Sequence, residues 1–184
     1  MNEHPLHEEI GKQLLEMNLE SAKYRPILDV ACGNNTNEKK QQISLFVHGE
    51  KSENRLCKVD AIIIKEEDGN DAIKIIIEIE ESGFHPTKIC GKYLTSAIAG
   101  RYVYKGKTIP IYKNSVLFIQ VIDLPKLLRE KDNSKKKEQL EIIKDEINKK
   151  QIGCIKQYEL IFIDKENQKD FDKFRVIIEK HLNI

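Results

Sequence analysis

The chain has 184 residues, 33% of them charged and 40% hydrophobic, with a net charge of +1. That length suits a single domain spanning 1–184, the composition is globular and not disordered, and no apolar run approaches the roughly 20 residues of a membrane span. Glu3, Glu8, Glu9, Glu16 and Glu20 crowd the start, the reverse of a secretion signal's basic and then apolar segment, so a cytoplasmic protein is expected.

Leu6, Ile10, Leu14 and Met17 recur at three- and four-residue spacing, which predicts an amphipathic helix over 5–19. Residues 20–42 are mixed. Pro26 and the run Cys32-Gly33-Asn34-Asn35-Thr36-Asn37 predict loops, with a short strand at 27–31. Strands follow over 43–48 and 55–65, the second carrying an apolar run at 61–64 that implies burial on both faces. A turn around Asp68-Gly69-Asn70 leads into a third strand over 72–81. Pro86 suits the first turn of a helix that runs to 99, with Ile89, Cys90, Tyr93, Leu94 and Ala97 on one side and Gly100 at its end. After a loop, 115–122 reads as a strand of a sheet centre. A polar helix over about 134–149, a strand over 158–164 and a closing helix after an Asn167 cap complete the order. The expectation is an α/β domain in which three antiparallel strands are joined to later ones by helical crossovers, giving a mixed central sheet flanked by helices.

Cys32, Cys57, Cys90 and Cys154 form no CxxC pair, so they are expected as buried free thiols and not as zinc ligands. Charge is segregated along the chain. Residues 60–81 are acidic, whereas 82–122 contain no Asp or Glu and carry Lys88, Lys92, Arg101, Lys105, Lys107 and Lys113. Phe84, Tyr93, Tyr102, Tyr104, Tyr112 and Phe118 are interleaved with these cations. Either this stretch is a solvated face or it is a polyanion-binding surface, since such cations neutralise phosphates and release counterions.

Asp60 is expected within the second strand, and Glu78 and Glu80 at the end of the third. Residues at i and i+2 share a strand face, so Glu78 and Glu80 project together, and hairpin pairing would bring Asp60 to them. Either these acids face solvent at a strand end, or, if clustered, they need compensation that a hard divalent ion, Mg²⁺ or Mn²⁺, supplies. His85 is either a helix-start residue or a phosphate contact. His4, His7, His48 and His181 are scattered and suggest no site.

An acidic strand residue, a hairpin, an acid pair ending the next strand and then a helix resemble the PD-(D/E)xK nuclease superfamily. The residues concerned are Lys58-Val59-Asp60-Ala61 and Glu78-Ile79-Glu80, and the likeness spans roughly 5–122. It implies a three-layer αβββαβ restriction-endonuclease-like core with a C-terminal α-β-α extension, and a Mg²⁺-dependent (or Mn²⁺-dependent) DNA endonuclease akin to type II restriction enzymes. By the same resemblance Asp60, Glu78 and the Ile79 carbonyl hold the metal, and Glu80 positions water or a second ion. A first-helix Glu, here Glu9 with Glu8 as its neighbour, joins the site edge. Glu80 stands where the family usually has Lys, and Lys92 or Lys88 would supply that cation or bind phosphate, unless both are plain helix-surface lysines. DNA would meet Lys88, His85, Arg101, Lys105 and Lys107, and a two-stranded cut suits a homodimer. A repair or recombination nuclease reading DNA structure, or a binding module without catalysis, would use the same fold.

Overall fold

Isoleucine runs set the centre of the molecule, because strands buried on both faces need apolar residues at every position. A computed structural model describes residues 4–33, 42–49, 51–67, 70–104, 107–129 and 133–184. The large sheet holds β1 (Tyr24–Leu28), β4 (Ala61–Lys65), β5 (Ala72–Glu80), β8 (Val116–Asp123) and β9 (Ile155–Ile163), in the order β1-β4-β5-β8-β9. The pairs β1/β4 and β4/β5 are antiparallel, whereas β5/β8 and β8/β9 are parallel. Ile62, Ile63, Ile64, Ile75, Ile76 and Ile77 are all fully buried.

Side-chain alternation divides this sheet between two apolar layers. On one face α1 (Pro5–Glu16) and α5 (Gln168–Leu182) pack Leu6, Ile10, Leu14, Phe171, Phe174 and Ile178 against Ala61, Ile63, Ile75, Ile77 and Ile79. On the other, α2 (Pro86–Ala97) and α4 (Asn133–Asn148) bring Ile89, Tyr93 and Leu140 to Ile62, Ile76, Phe118 and Tyr158. The second face also receives a small antiparallel sheet of β2 (Ile43–Phe46), β3 (Arg55–Val59), β6 (Arg101–Tyr104) and β7 (Lys107–Pro110), in the order β3-β2-β6-β7. The result is a mixed five-stranded sheet flanked by helices. Among the described residues, no helix is long and apolar enough to cross a membrane.

The structure departs from the sequence reading at several points, and the short strand expected over 27–31 is β1, at Tyr24–Leu28. The strand expected over 55–65 is two, β3 and β4, and the chain passes from one sheet to the other at Asp60. Exposure follows: β3 has one face free and is only partly buried at Leu56 and Cys57, whereas β4 is sealed on both. Consequently the strand expected over 43–48 pairs in the small sheet, and β1 opens the antiparallel series in the large one. Pro26, taken as a loop signal, sits opposite Ile63 on that edge strand, the position where a missing N–H breaks no ladder. The loop expected after Gly100 is the β6/β7 hairpin. Finally, α3 (Leu124–Arg129) was not foreseen; the Asp123 carboxylate accepts a hydrogen bond from Lys126 N–H at 2.8 Å and so caps its start.

Candidate metal centre at the strand ends

Strand β5 outruns its neighbour. Its ladder with β4 ends at Ala61 opposite Ile77, with one further bond from Asp60 N–H to the Ile77 carbonyl at 3.2 Å. Beyond that point the Asp60 carboxylate takes the place of a partner strand: its Oδ2 accepts the Ile79 N–H at 2.7 Å. With that N–H turned to Asp60, Ile79 directs its carbonyl to the same side, because both groups of a strand residue address one neighbour. Alternation then aims Glu78 and Glu80 at α2, and both are 1% exposed.

Helix α2 answers with two lysines one turn apart. Lys92 Nζ lies 2.7 Å from Glu78 Oε2 and 2.7 Å from Glu80 Oε1. Lys88 Nζ lies 2.7 Å from Glu80 Oε2 and donates to the Ser82 carbonyl at 2.8 Å. Gly83, at φ +66, turns the chain between β5 and α2, a backbone state that favours glycine. Gln120 donates weakly to Glu80 Oε1 at 3.5 Å and accepts from the Tyr158 hydroxyl at 2.9 Å.

The electrostatics of the three acids differ. Burial pushes Glu78 up to about 8; Lys92 opposes this, and the nearby Asp60 and Glu80 charges reinforce it. Burial also works against the charged form of Asp60, yet His7, Lys92 and the Ile79 N–H hold it below the ordinary carboxylate value. Lys92 is partly buried, which disfavours its charge, but Glu78 and Glu80 keep it well above the usual lysine range. Glu78 Oε1 is buried with no hydrogen-bond partner among the described residues. A buried, unpartnered carboxylate oxygen beside a second carboxylate fits a hard divalent cation, whose ligands are oxygens of this type.

A second layer lies on the α1 side, where alternation sends Glu81. Its Oε1 accepts from Leu6 N–H at 2.8 Å and His7 N–H at 3.1 Å, and lies 3.0 Å from His7 Nδ1. His7 Nε2 is 3.7 Å from Asp60 Oδ1, and Lys126 Nζ pairs with Glu81 Oε2. Asp29 N–H donates to the Asp60 carbonyl at 2.9 Å, and the Asp29 carboxylate caps the Ala31 and Cys32 N–H groups. This turn lies directly on α1: a Cβ on Gly11 would stand 1.9 Å from the Cys32 carbonyl oxygen.

Glu78, Glu80, Lys92 and Lys88 are thus joined by ion pairs. Asp60 lies near enough for its charge to act on Glu78, although the three carboxylates do not form a group with ligand atoms within 4.8 Å of one another. Glu9 is not among them; it bonds Lys12 and Gln13 on its own helix, both at 3.1 Å. Glu8 lies in the first turn of α1. The helix-1 residue that reaches the acids is His7, which sequence reasoning set aside. Its only signal was its place beside the Leu6–Ile10–Leu14 stripe. Glu81 was missed because it points opposite to Glu78 and Glu80. His85 is exposed at the start of α2, and Lys107 is exposed on β7. Arg101 is on β6 with its Nε buried and without a hydrogen-bond partner among the described residues. Lys105 lies outside the described residues. Four of the interleaved aromatics, Phe84, Tyr93, Tyr102 and Phe118, are core residues at 3% exposure or less and form no stacking surface. Tyr112 is 51% exposed, and nothing is described of the Tyr104 side chain. All four cysteines are free thiols, Cys32 and Cys154 buried, Cys57 and Cys90 partly so. Compared with models of protein families, with curated proteins and with solved structures, the chain matches none.

Proposed function

We propose that the protein is a divalent-metal-dependent deoxyribonuclease that hydrolyses phosphodiester bonds, akin to the type II restriction enzymes of the PD-(D/E)xK superfamily. The observation that carries this reading is Glu78 Oε1, buried and without a hydrogen-bond partner among the described residues, within reach of the Asp60 charge, with Lys92 bridging Glu78 and Glu80. The order α1, β1, β4, β5, α2, β8 follows the αβββαβ core of that superfamily, with β2/β3 and β6/β7 as insertions that form the small sheet. Free thiols accord with a reducing, cytoplasmic setting.

Asp60, Glu78 and the Ile79 carbonyl would hold Mg²⁺ or Mn²⁺, which supplies Lewis-acid polarisation of the phosphodiester and a more acidic water. Lys92 takes the part of the strand lysine that Glu80 displaces. It reaches the same carboxylates from α2, and its fixed ammonium stabilises charge developing at the phosphorus oxygens. Glu80, held by Lys92 and Lys88, positions Lys92 and through it the attacking water. Lys88, His85, Arg101 and Lys107 face the phosphate backbone, and a homodimer sets two such centres on the two strands.

One observation favours a second reading. Lysines pair with both Glu80 oxygens and with Glu78 Oε2, a self-compensated arrangement that a DNA-binding module without catalysis would retain. Incubation of supercoiled plasmid with the protein and Mg²⁺ or Mn²⁺ separates the two. Nicking that Asp60→Ala and Glu78→Ala both abolish is expected, and cleavage unchanged in either variant refutes the assignment. Salt-sensitive DNA binding with no cutting in either ion gives the binding module, and preference for branched over linear duplex gives a structure-specific nuclease.

A further inference from the structure

The start of α1 carries a cluster that the nuclease reading leaves unused. His4, His7 and Glu81 each offer a ligand atom, and these atoms all lie within 4.8 Å of one another, the one such group of three among the described residues. Two geometric facts give it the form of a metal site. The His4 and His7 ring centroids are 5.1 Å apart, close to the separation of about 5 Å that two imidazoles adopt on one tetrahedral ion with N bonds of about 2.0–2.1 Å. His7 Nδ1 and Glu81 Oε1 are 3.0 Å apart, near the ligand–ligand edge of about 3.3 Å of the same tetrahedron.

The surroundings fit as well. His7 Nε2 looks to Asp60 Oδ1 at 3.7 Å, the outer-carboxylate position that fixes the orientation of a ligating imidazole. Glu81 is itself fixed by the Leu6 and His7 N–H groups and by Lys126. His4 is exposed, which leaves a fourth position open to solvent. Imidazole nitrogens with one carboxylate select zinc-type ions over Mg²⁺.

We infer that His4, His7 and Glu81 bind a zinc-type divalent ion, with Asp60 orienting His7 from behind. The ion takes the place of the proton on His7 Nδ1, which leaves to solvent, while Nε2 keeps its proton toward Asp60. The ligands are distinct from the oxygens assigned to Mg²⁺, so the inference stands whether or not the protein cuts DNA.

Chelator-stripped protein without an affinity tag, titrated with Co²⁺ and, in competition with a chromophoric chelator, with Zn²⁺, provides the test. One equivalent of Zn²⁺ is expected, with visible Co²⁺ ligand-field bands of tetrahedral intensity that excess Mg²⁺ does not remove. His4→Ala, at an exposed position, should weaken Zn²⁺ by about 100-fold or more through loss of one of three ligands, Asp60→Asn by about 10–100-fold, and Glu78→Ala by little. Equal Zn²⁺ affinity in His4→Ala and wild type, or absence of the Co²⁺ bands, overturns the inference. So does Zn²⁺ binding that Glu78→Ala removes and His4→Ala keeps, because the ion would then sit among the β5 carboxylates.

Discussion

Glu78→Gln in metal-free protein measures the cost of the buried acid. The substitution keeps the side chain's shape and a contact for Lys92, which retains its bond to Glu80. Burial pushes the Glu78 carboxyl from 4.5 up to about 8, so between those pH values the unfolded chain releases this proton and the folded one holds it. Stability therefore falls as pH rises through that interval, and is level on either side of it. At about 1.4 kcal/mol per pH unit the ceiling is about 5 kcal/mol. Relaxation of Lys92 and entry of water reduce it, and a loss of about 2–5 kcal/mol relative to the variant is expected. Urea denaturation of both proteins in a chelating buffer from pH 5 to 9 reads this directly. His7, Asp29 and Glu81 titrate alike in the two proteins, so the difference between the curves isolates residue 78. A pH-independent difference between pH 5 and 9 refutes the reasoning, because it means that Lys92 keeps Glu78 ionised in the folded state throughout that range.

Two further outcomes follow from the packing and from the cations. Gly11→Ala places a methyl 1.9 Å from the Cys32 carbonyl oxygen and 2.8 Å from its carbon, both backbone atoms, so α1 or the Asp29 turn must shift. A loss of about 2–3 kcal/mol in urea denaturation is expected, and a loss under about 0.5 kcal/mol shows that the helix is not seated there. In plasmid cleavage, Lys92→Met should cost about 100-fold or more, on the scale of removing one aimed charge-stabilising donor. Lys88→Met should cost about 10-fold or less, because Lys88 meets Glu80 and Ser82 but not Glu78. Equal losses in the two variants contradict the separate role of Lys92.

What the sequence revealed and what it hid have different physical origins. Two-residue alternation in Glu78-Ile79-Glu80 places both acids on one face without any knowledge of the fold. The continuous run at 61–64 likewise announces a strand covered on both sides, and Pro86 announces a helix. The break at Asp60 is a tertiary decision. A half-exposed segment and a sealed one adjoin at Val59–Ala61, but the step from one sheet to the other depends on β2 and β6, which lie elsewhere in the chain. His7 shows the same limit. Its proximity to Asp60 depends on α1 seating at Gly11 against the turn at Cys32, a contact between residues 11 and 32 that no local pattern encodes. The aromatics between 84 and 118 misled for the converse reason: spacing among lysines says nothing about which face each ring occupies, and four of them went to the core.

The placement of the acids follows from a mismatch in strand length. Had β4 run as far as β5, the Ile79 N–H would be spent on a backbone carbonyl and Asp60 would be one more ladder residue. Because the ladder stops at Ile77, a side-chain oxygen completes it, and Asp60 is held to the Ile79 N–H by main-chain geometry. The same early stop lets the chain turn from β3 into β4 at residue 60, so the small sheet and the acid are positioned by one event. A strand residue at position 80 cannot touch both Glu78 and itself, whereas a lysine descending from α2 bonds both carboxylates at 2.7 Å. A cation carried on the helix therefore reaches both acids while position 80 itself carries a carboxylate.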